Sequence, residues 1–570
     1  SQGFSRRERF RRRTARPKAL VCIMYLYFRQ EEKHVLKSFR TMLCAMLCVI
    51  LLSSAALACT VLAVGKDATV DGSAMITHND DSRTANSRLF IIPEADWPEG
   101  SMRSVVKDAH GYEGDGQVIG EIPQVPHTFR YFFSRYSFMN EKGVAISEST
   151  DSVEVTDERS KKVEQIMAKD AVGMMDAWIL QDIMLERAST AREAVEIMGK
   201  LVEEYGWYDA PETMPLTDGN EVWIAEFYGN KIWAAWRMPD DHIFVGANRA
   251  RLRHLDLTDK ENVMYCPDLV EFAVKNGFIE EKDVNMKDFS PADVYCPSTA
   301  LYATRREWRV LSLAAPDSFK LGPDEYDYPM SIKPDKKLSV HDVLRIKGDW
   351  YEGTPFDLSK GIQAGPWGNP IRFANSSKKN PSASWERSVN MMRTAYVHIA
   401  QVRGDLPVEV RGISWYGYGA PDTTYITPLW PVMSKLPPLY GIGDRYHDYD
   451  PKSGWWVNTR VQELAGLRYQ DARKEIHAAR DAKLNPLYVQ TRMIQDKAAE
   501  MLKAGDKDGA VSLITDFTYA HAVDWNQRWL ALGDRLLSKY ALGYTDVKTT
   551  PYPEEWNEIV GFDTPKRSTK

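Results

Sequence analysis

Cysteine is scarce in this chain: there are six among 570 residues, and Cys22, Cys44 and Cys48 fall within the first 58 positions. Cys59, Cys266 and Cys296 remain, and with few clustered histidines they are too few for a structural zinc site. Long apolar runs are also missing. The stretch from Met42 to Ala56 is uncharged but only 15 residues long, against the ~20 that a membrane span needs, so no permanent transmembrane helix is predicted. Net positive charge is confined to the start. Residues 1–58 hold twelve Lys/Arg and three Asp/Glu, so the overall charge of −6 leaves about −15 on residues 59–570. Such an acidic body argues against nucleic acid or an anionic membrane surface as partner, since both select basic patches. No internal repeat or low-complexity tract is evident, and 44% hydrophobic residues with 11% aromatics indicate a globular chain.

What is present begins with a leader. Lys37 and Arg40 precede the apolar stretch and Ala56-Leu57-Ala58 closes it, the pattern of a secretory signal with an A-x-A cleavage site. Residues 1–58 are therefore expected to be removed and the protein exported, to the periplasm or outside the cell. Arg6-Arg7 and Arg11-Arg12-Arg13 have no apolar stretch close behind them, which disfavours a twin-arginine signal. An over-long start, with Met24 or Met42 as initiator, is the expected explanation. Tyr265-Cys266-Pro267 and Tyr295-Cys296-Pro297 suit an oxidising compartment either as a disulfide or as two buried thiols.

The remaining chain is long enough for a large core. Apolar Thr60 to Val64, a turn at Asp71-Gly72-Ser73 and Ala74 to Thr77 predict a β-hairpin. A second strand-turn-strand signal runs from Tyr131 to Ser147 around Asn140-Glu141-Lys142-Gly143. Helical periodicity follows at Met174 to Glu186 and Ala191 to Tyr205. Strands are then predicted at Glu221 to Tyr228 and Lys231 to Trp236, joined by Gly229-Asn230. Ser359 to Pro381 reads as a long loop. Beyond Thr459, helices are expected at Gln462 to Ala482, Pro486 to Ala504 and Asp508 to Tyr540, with Pro486 and Gly505 as breaks. The organisation expected is a leader, 1–58, a catalytic domain, 59–455, and a C-terminal helical subdomain, 456–570.

Cleavage after Ala58 would make Cys59 the first residue, with a thiol and a free α-amine together. The ordinary pKa of an α-amine, about 7.7–8.0, leaves it partly neutral near pH 7, so it can take the thiol proton directly or through water. Attack on a carbonyl then needs oxyanion donors and a group to orient the amine. His78-Asn79-Asp80-Asp81, at the far end of the hairpin, would return beside Cys59.

Cys59-Thr60, Gly65-Lys66, Asp71-Gly72-Ser73 and His78-Asn79-Asp80-Asp81 together resemble the opening of the PepD-like cysteine dipeptidases, which are N-terminal-nucleophile (Ntn) hydrolases. Further stretches fit in order. They are Asn140-Glu141-Lys142-Gly143-Val144, the segments from Thr217 to Trp223, Arg237 to Asp241 and Tyr351 to Asp357, and Ser384-Trp385-Glu386-Arg387. The resemblance implies an α+β fold, a four-layer αββα sandwich, and hydrolysis of dipeptides or short peptides through a thioester, with no cofactor or metal. It implies Cys59 as nucleophile and Asp81 as the acidic residue holding the amine. Asn140 and Asn248 match oxyanion-hole positions, and Arg306 matches a further active-site arginine, with Arg305 beside it. His78 stands where acylase relatives have an arginine. Asp218, Asp240 and Asp241 read as turn carboxylates, and Trp223, Trp233, Trp236 and Trp308 as core.

Two alternatives are carried forward. The same site could serve an acylase of the bile-salt or penicillin type. Ala56-Leu57-Ala58-Cys59 also partly resembles a lipobox, which would make the protein a lipid-anchored peptide binder with the thiol and amine blocked. A homo-oligomer is left open.

Overall fold

The computed structural model describes residues 59–82, 86–107, 116–371, 386–443 and 445–560, and the leader lies outside them. The described residues fall in one compact unit, helical C-terminal part included. Thirteen strands build its two larger sheets. In chain order they are β1 (Thr60–Val64), β2 (Ala74–Asp80), β3 (Ala145–Ile146), β4 (Ser149–Thr150), β5 (Glu212–Thr217), β6 (Val222–Gly229) and β7 (Ile232–Met238). They continue with β8 (Ile243–Gly246), β9 (Val263–Tyr265), β10 (Ser331–Ile332), β11 (Tyr396–Val402), β12 (Gly412–Tyr418) and β13 (Thr427–Leu429). The first sheet runs β10-β8-β1-β2-β11-β12-β13, and the second runs β4-β5-β6-β7-β9 with β3 also on β5. Every pairing in both is antiparallel.

The two sheets meet where β5 packs on β1 and β2. Helices cover their other faces: α1 (Ala177–Arg187) pairs with α2 (Ala191–Tyr205), and α2 lies on β5, β6 and β7. On the first sheet, α3 (Leu301–Ala314) packs on β8 and α4 (Val340–Lys347) on β11. Of the C-terminal helices, α5 (Gly454–Ala465) packs on β12 and α7 (Lys507–Tyr540) on β13, while α6 (Tyr469–Lys503) pairs with α7. A strand covered on both faces has no need of polar alternation. Hence β1 reads Thr-Val-Leu-Ala-Val with every residue buried.

The hairpins follow their turn chemistry. Asn230 adopts a φ of 56° between β6 and β7, and Gly143 a φ of 78° in the Asn140 turn, both in the left-handed region that Asn and Gly tolerate. Asp176 and Thr190 cap α1 and α2 with their side chains.

The break predicted at Pro486 is corrected. Helix α6 runs through it without interruption. Pro486 cannot donate to the Ala482 carbonyl, but both residues are exposed, so water takes the freed acceptor. The chain turns instead around Gly466, between α5 and α6. The predicted 359–381 loop is described to residue 371 and is made of turns and one 3₁₀ turn, Ile362–Ala364. Cys266 and Cys296 are both free and buried, so the thiol alternative holds for this pair. Among the described residues no helix is long and apolar enough to cross a membrane.

Candidate active site

Cys59 sits at the head of β1, the strand flanked by β2 and β8. The registers pair Thr60 with Asn79 and Val61 with Gly246. One step further, Cys59 lies between Asp80 and Asn248. Alternation along the strands sorts the neighbours by face. Cys59, His78 and Asp80 point to the side of the second sheet, and Thr60 and Asn79 to the helices.

From the second sheet comes Glu148, just ahead of β4. The Cys59 thiol donates to Glu148 Oε1 at 3.0 Å, and His78 Nε2 lies 2.8 Å from the same oxygen. The Thr150 hydroxyl donates to Oε2 at 3.3 Å. Burial raises the Glu148 carboxyl, but His78 and its hydrogen-bond donors, Glu212 and Cys59 among them, outweigh it and hold it below the usual range. Its partner Glu212 is pushed well up by burial and by Glu148, so Glu212 carries the proton of this pair. Tyr136 and Tyr396 box the His78 ring edge-on at 5.1 and 5.7 Å.

The helix side supplies cations. Arg306 of α3 spends all five of its N–H donors. Nη1 bonds the Cys59 carbonyl at 3.2 Å and the Thr60 hydroxyl at 2.9 Å. Nη2 bonds the Ala247 carbonyl at 2.8 Å and Asn248 Oδ1 at 2.7 Å, and Nε bonds the Tyr302 carbonyl at 2.8 Å. Lys347, the last residue of α4, is fully buried and donates to the Thr60 carbonyl. Asn248 takes a φ of 65°, donates its side-chain amide to the Thr150 carbonyl at 2.7 Å, and donates its backbone N–H to Ser149 Oγ at 2.8 Å.

The structure therefore gathers Cys59, Asn248 and Arg306. Asp81, one residue past the neighbour of Cys59, is buried and accepts the Thr394 hydroxyl at 2.5 Å. Burial raises its carboxyl to about 6 against the pull of Thr394, Arg393, Lys347 and Arg306. Arg305, beside Arg306, turns away to Asp324 and Glu386. Asn140 is corrected. Both of its amide hydrogens go to the Leu185 and Ala188 carbonyls, and its Oδ1 accepts from the Lys142 and Val144 N–H groups. It ties its own turn to the end of α1, which leaves no donor for an oxyanion. Asp218 accepts from Asn220 and Glu221, and Asp240 pairs with Lys66 and Arg237, as turn carboxylates do. Glu148, Ser149 and Lys347 were not singled out from the sequence.

Burial raises the Cys59 thiol well above its ordinary value, and Glu148, Asp80 and Asp81 add to the effect. An uncharged thiol is thus the resting form while its nitrogen is in a peptide bond. Lys347 is depressed, chiefly by burial, from 10.5 to about 7. Between those values the unfolded chain holds a proton that the folded chain lacks, so stability from this group is full above 10.5 and is lost as pH falls through about 7. Lys347→Met is expected to flatten the rise in unfolding free energy between about pH 7 and 9, which is at most about 1.4 kcal/mol per pH unit. Urea titrations of both proteins at several pH values check this.

With this geometry in place, comparison with known proteins identifies the family. The sequence model of Peptidase family C69 matches residues 58–482. A probable dipeptidase B of Lactococcus lactis is 25% identical over 468 residues, spanning 79% of this chain and 91% of its own. A probable dipeptidase of Latilactobacillus sakei is 28% identical over 429 residues, 72% and 82% of the two chains. A dipeptidase of Bifidobacterium longum is 26% identical over 500 residues, 80% and 90%. The family match begins at the residue before Cys59 and covers both sheets, and the chain belongs to peptidase family C69, a family of cysteine-type dipeptidases.

Proposed function

We propose that this protein is an exported dipeptidase whose nucleophile is Cys59, freed as the N-terminal residue by removal of 1–58. The observation that carries the proposal is the convergence on one residue of Glu148 at the thiol and Arg306 at the carbonyl, directly behind an A-x-A sequence. Two sheets in contact, with helices on their outer faces, support reading the fold as the αββα sandwich of Ntn hydrolases.

In the reaction proposed, the α-amine of Cys59 takes the thiol proton and the sulfur attacks the scissile carbonyl. Glu148 is held below the usual carboxylate range, so it is the weaker base and serves to aim the thiol. A free α-ammonium also supplies the positive charge that a thiolate among Glu148, Asp80 and Asp81 requires. Asp81 is the partner proposed for that ammonium. Arg306 bonds Asn248 Oδ1 and so turns the amide nitrogen away from the guanidinium, which suits Asn248 to donate to the oxyanion. Collapse breaks the C–N bond, and the leaving amine takes the proton from the α-ammonium. Water, deprotonated by the same amine, then cleaves the thioester and returns the thiol.

A panel of free dipeptides, longer peptides, and bile-salt or penicillin-type amides tests the substrate class. Turnover of dipeptides at least about tenfold faster in kcat/KM is expected. Preference for the acyl amides would overturn the dipeptidase reading in favour of an acylase.

A further inference from the structure

The side chains at the thiol have the composition of a soft-cation site. Cys59 Sγ, His78 Nε2 and Glu148 Oε1 lie within 4.8 Å of one another, and all three residues are buried. Thiolate, imidazole and carboxylate are the ligand types zinc takes, commonly three from the protein with a fourth position left to water. They come from three separate places, the head of β1, the interior of β2 and the residue ahead of β4, so their meeting is a product of the fold and not of one local motif.

The spacing fits. Zinc–ligand bonds of about 2.0–2.3 Å put tetrahedral ligand atoms roughly 3.3–3.8 Å apart. The sulfur–oxygen and nitrogen–oxygen separations are 3.0 and 2.8 Å, so side-chain adjustments under about 1 Å admit the ion. Charge fits as well. A divalent cation on one thiolate, one carboxylate and one neutral imidazole is neutral overall, which removes most of the penalty of burying ions. Magnesium and calcium are disfavoured, since they call for six or more oxygen ligands.

We propose that Cys59, His78 and Glu148 bind a zinc-class divalent cation reversibly, and that the bound ion inhibits the dipeptidase by occupying its nucleophile. The inhibition rests on Cys59 being that nucleophile; the binding does not. On binding, the Cys59 S–H bond breaks, its proton leaves to solvent and a metal–sulfur bond forms, with no change of oxidation state. Glu148 exchanges its contacts with the thiol and imidazole for one with the ion.

The test uses the purified mature enzyme with zinc buffered by a chromophoric chelator. One equivalent of zinc is expected to bind and abolish dipeptide hydrolysis, EDTA to restore it, and magnesium to have no effect. Cobalt in place of zinc is expected to give a thiolate-to-metal charge-transfer band, absent in Cys59→Ala, and the intense visible absorption of a tetrahedral site. Glu148→Gln and His78→Asn should each weaken zinc binding at least tenfold, read from the chelator alone, so neither variant needs to be active. The near-isosteric Glu148→Gln carries the test should the histidine variant fail to fold. Unchanged zinc affinity in a folded variant, or no charge-transfer band, overturns the proposal. An enzyme that binds zinc at this site but cleaves no dipeptide instead overturns the dipeptidase reading and leaves the site standing.

Discussion

Cys59→Ser is expected to lower kcat/KM on dipeptides by at least about a thousandfold, because removal of a nucleophile abolishes what the rest of the site is built to assist. Serine is the informative replacement. Its hydroxyl can keep the bond to Glu148 Oε1 that the thiol makes at 3.0 Å, so packing at the head of β1 survives and the loss reports on chemistry. An α-amine with an ordinary pKa of about 7.7–8.0 is close to matching a thiol of about 8.5, and it is far from matching an alcohol. Retaining even Ala58 ahead of Cys59 should be as damaging. The nitrogen would then remain an amide, unable to take a proton or to carry the charge that offsets Glu148, Asp80 and Asp81 around the thiol. Activity in the serine variant within tenfold of the parent would contradict the assignment, and so would full activity in the extended form. Steady-state assays on matched preparations, with unfolding curves to verify the fold, provide the measurement.

Arg306→Met is the second large effect expected. The guanidinium is completely buried, and it satisfies the carbonyls of Cys59, Ala247 and Tyr302, the Thr60 hydroxyl and Asn248 Oδ1. Methionine fills much of the volume and leaves those acceptors without their donor. Unpaired buried acceptors cost about 1–3 kcal/mol each, partly offset because a buried charge is removed at the same time. A net loss of about 2–4 kcal/mol in unfolding free energy is expected. Lysine should not rescue it, since an ammonium cannot span the ends of β1 and β8 as a planar fork does. Arg306 touches the backbone of the nucleophile and orients Asn248, so its loss should appear in kcat, by about a hundredfold, with KM changed far less. A variant that keeps its kcat would assign Arg306 a purely structural role.

Part of this site was legible in the sequence because it is local. The apolar run from Thr60 to Val64, the Asp71-Gly72-Ser73 turn and the return through His78 lie within 22 residues of Cys59, and the hairpin forms with Cys59 beside Asp80. The strand Ala74–Asp80 is longer than predicted, because His78, Asn79 and Asp80 are buried in the sheet and polarity alone marks them as a turn. Glu148 was not legible. It is 89 positions from the thiol it meets, and nothing in Ile146-Ser147-Glu148-Ser149 separates it from an ordinary strand end. Lys347 is similar, a lysine in the last turn of a capped helix, where the usual expectation is a solvated charge. Asn140 failed for the opposite reason. Asn-Glu-Lys-Gly is a strong turn signal, and the turn itself consumes the side chain. Helix α6 absorbed Pro486 because solvent, which periodicity does not register, satisfies the carbonyl that proline leaves open.

The central claim is that chemistry begins when Cys59 becomes the first residue of the chain. N-terminal sequencing and intact-mass measurement of the active enzyme test it most directly. The predicted result is a chain starting at an unmodified Cys59 that carries all of the dipeptide hydrolysis. Active enzyme beginning upstream of Cys59, or a Cys59 carrying lipid on its sulfur and nitrogen, would contradict it.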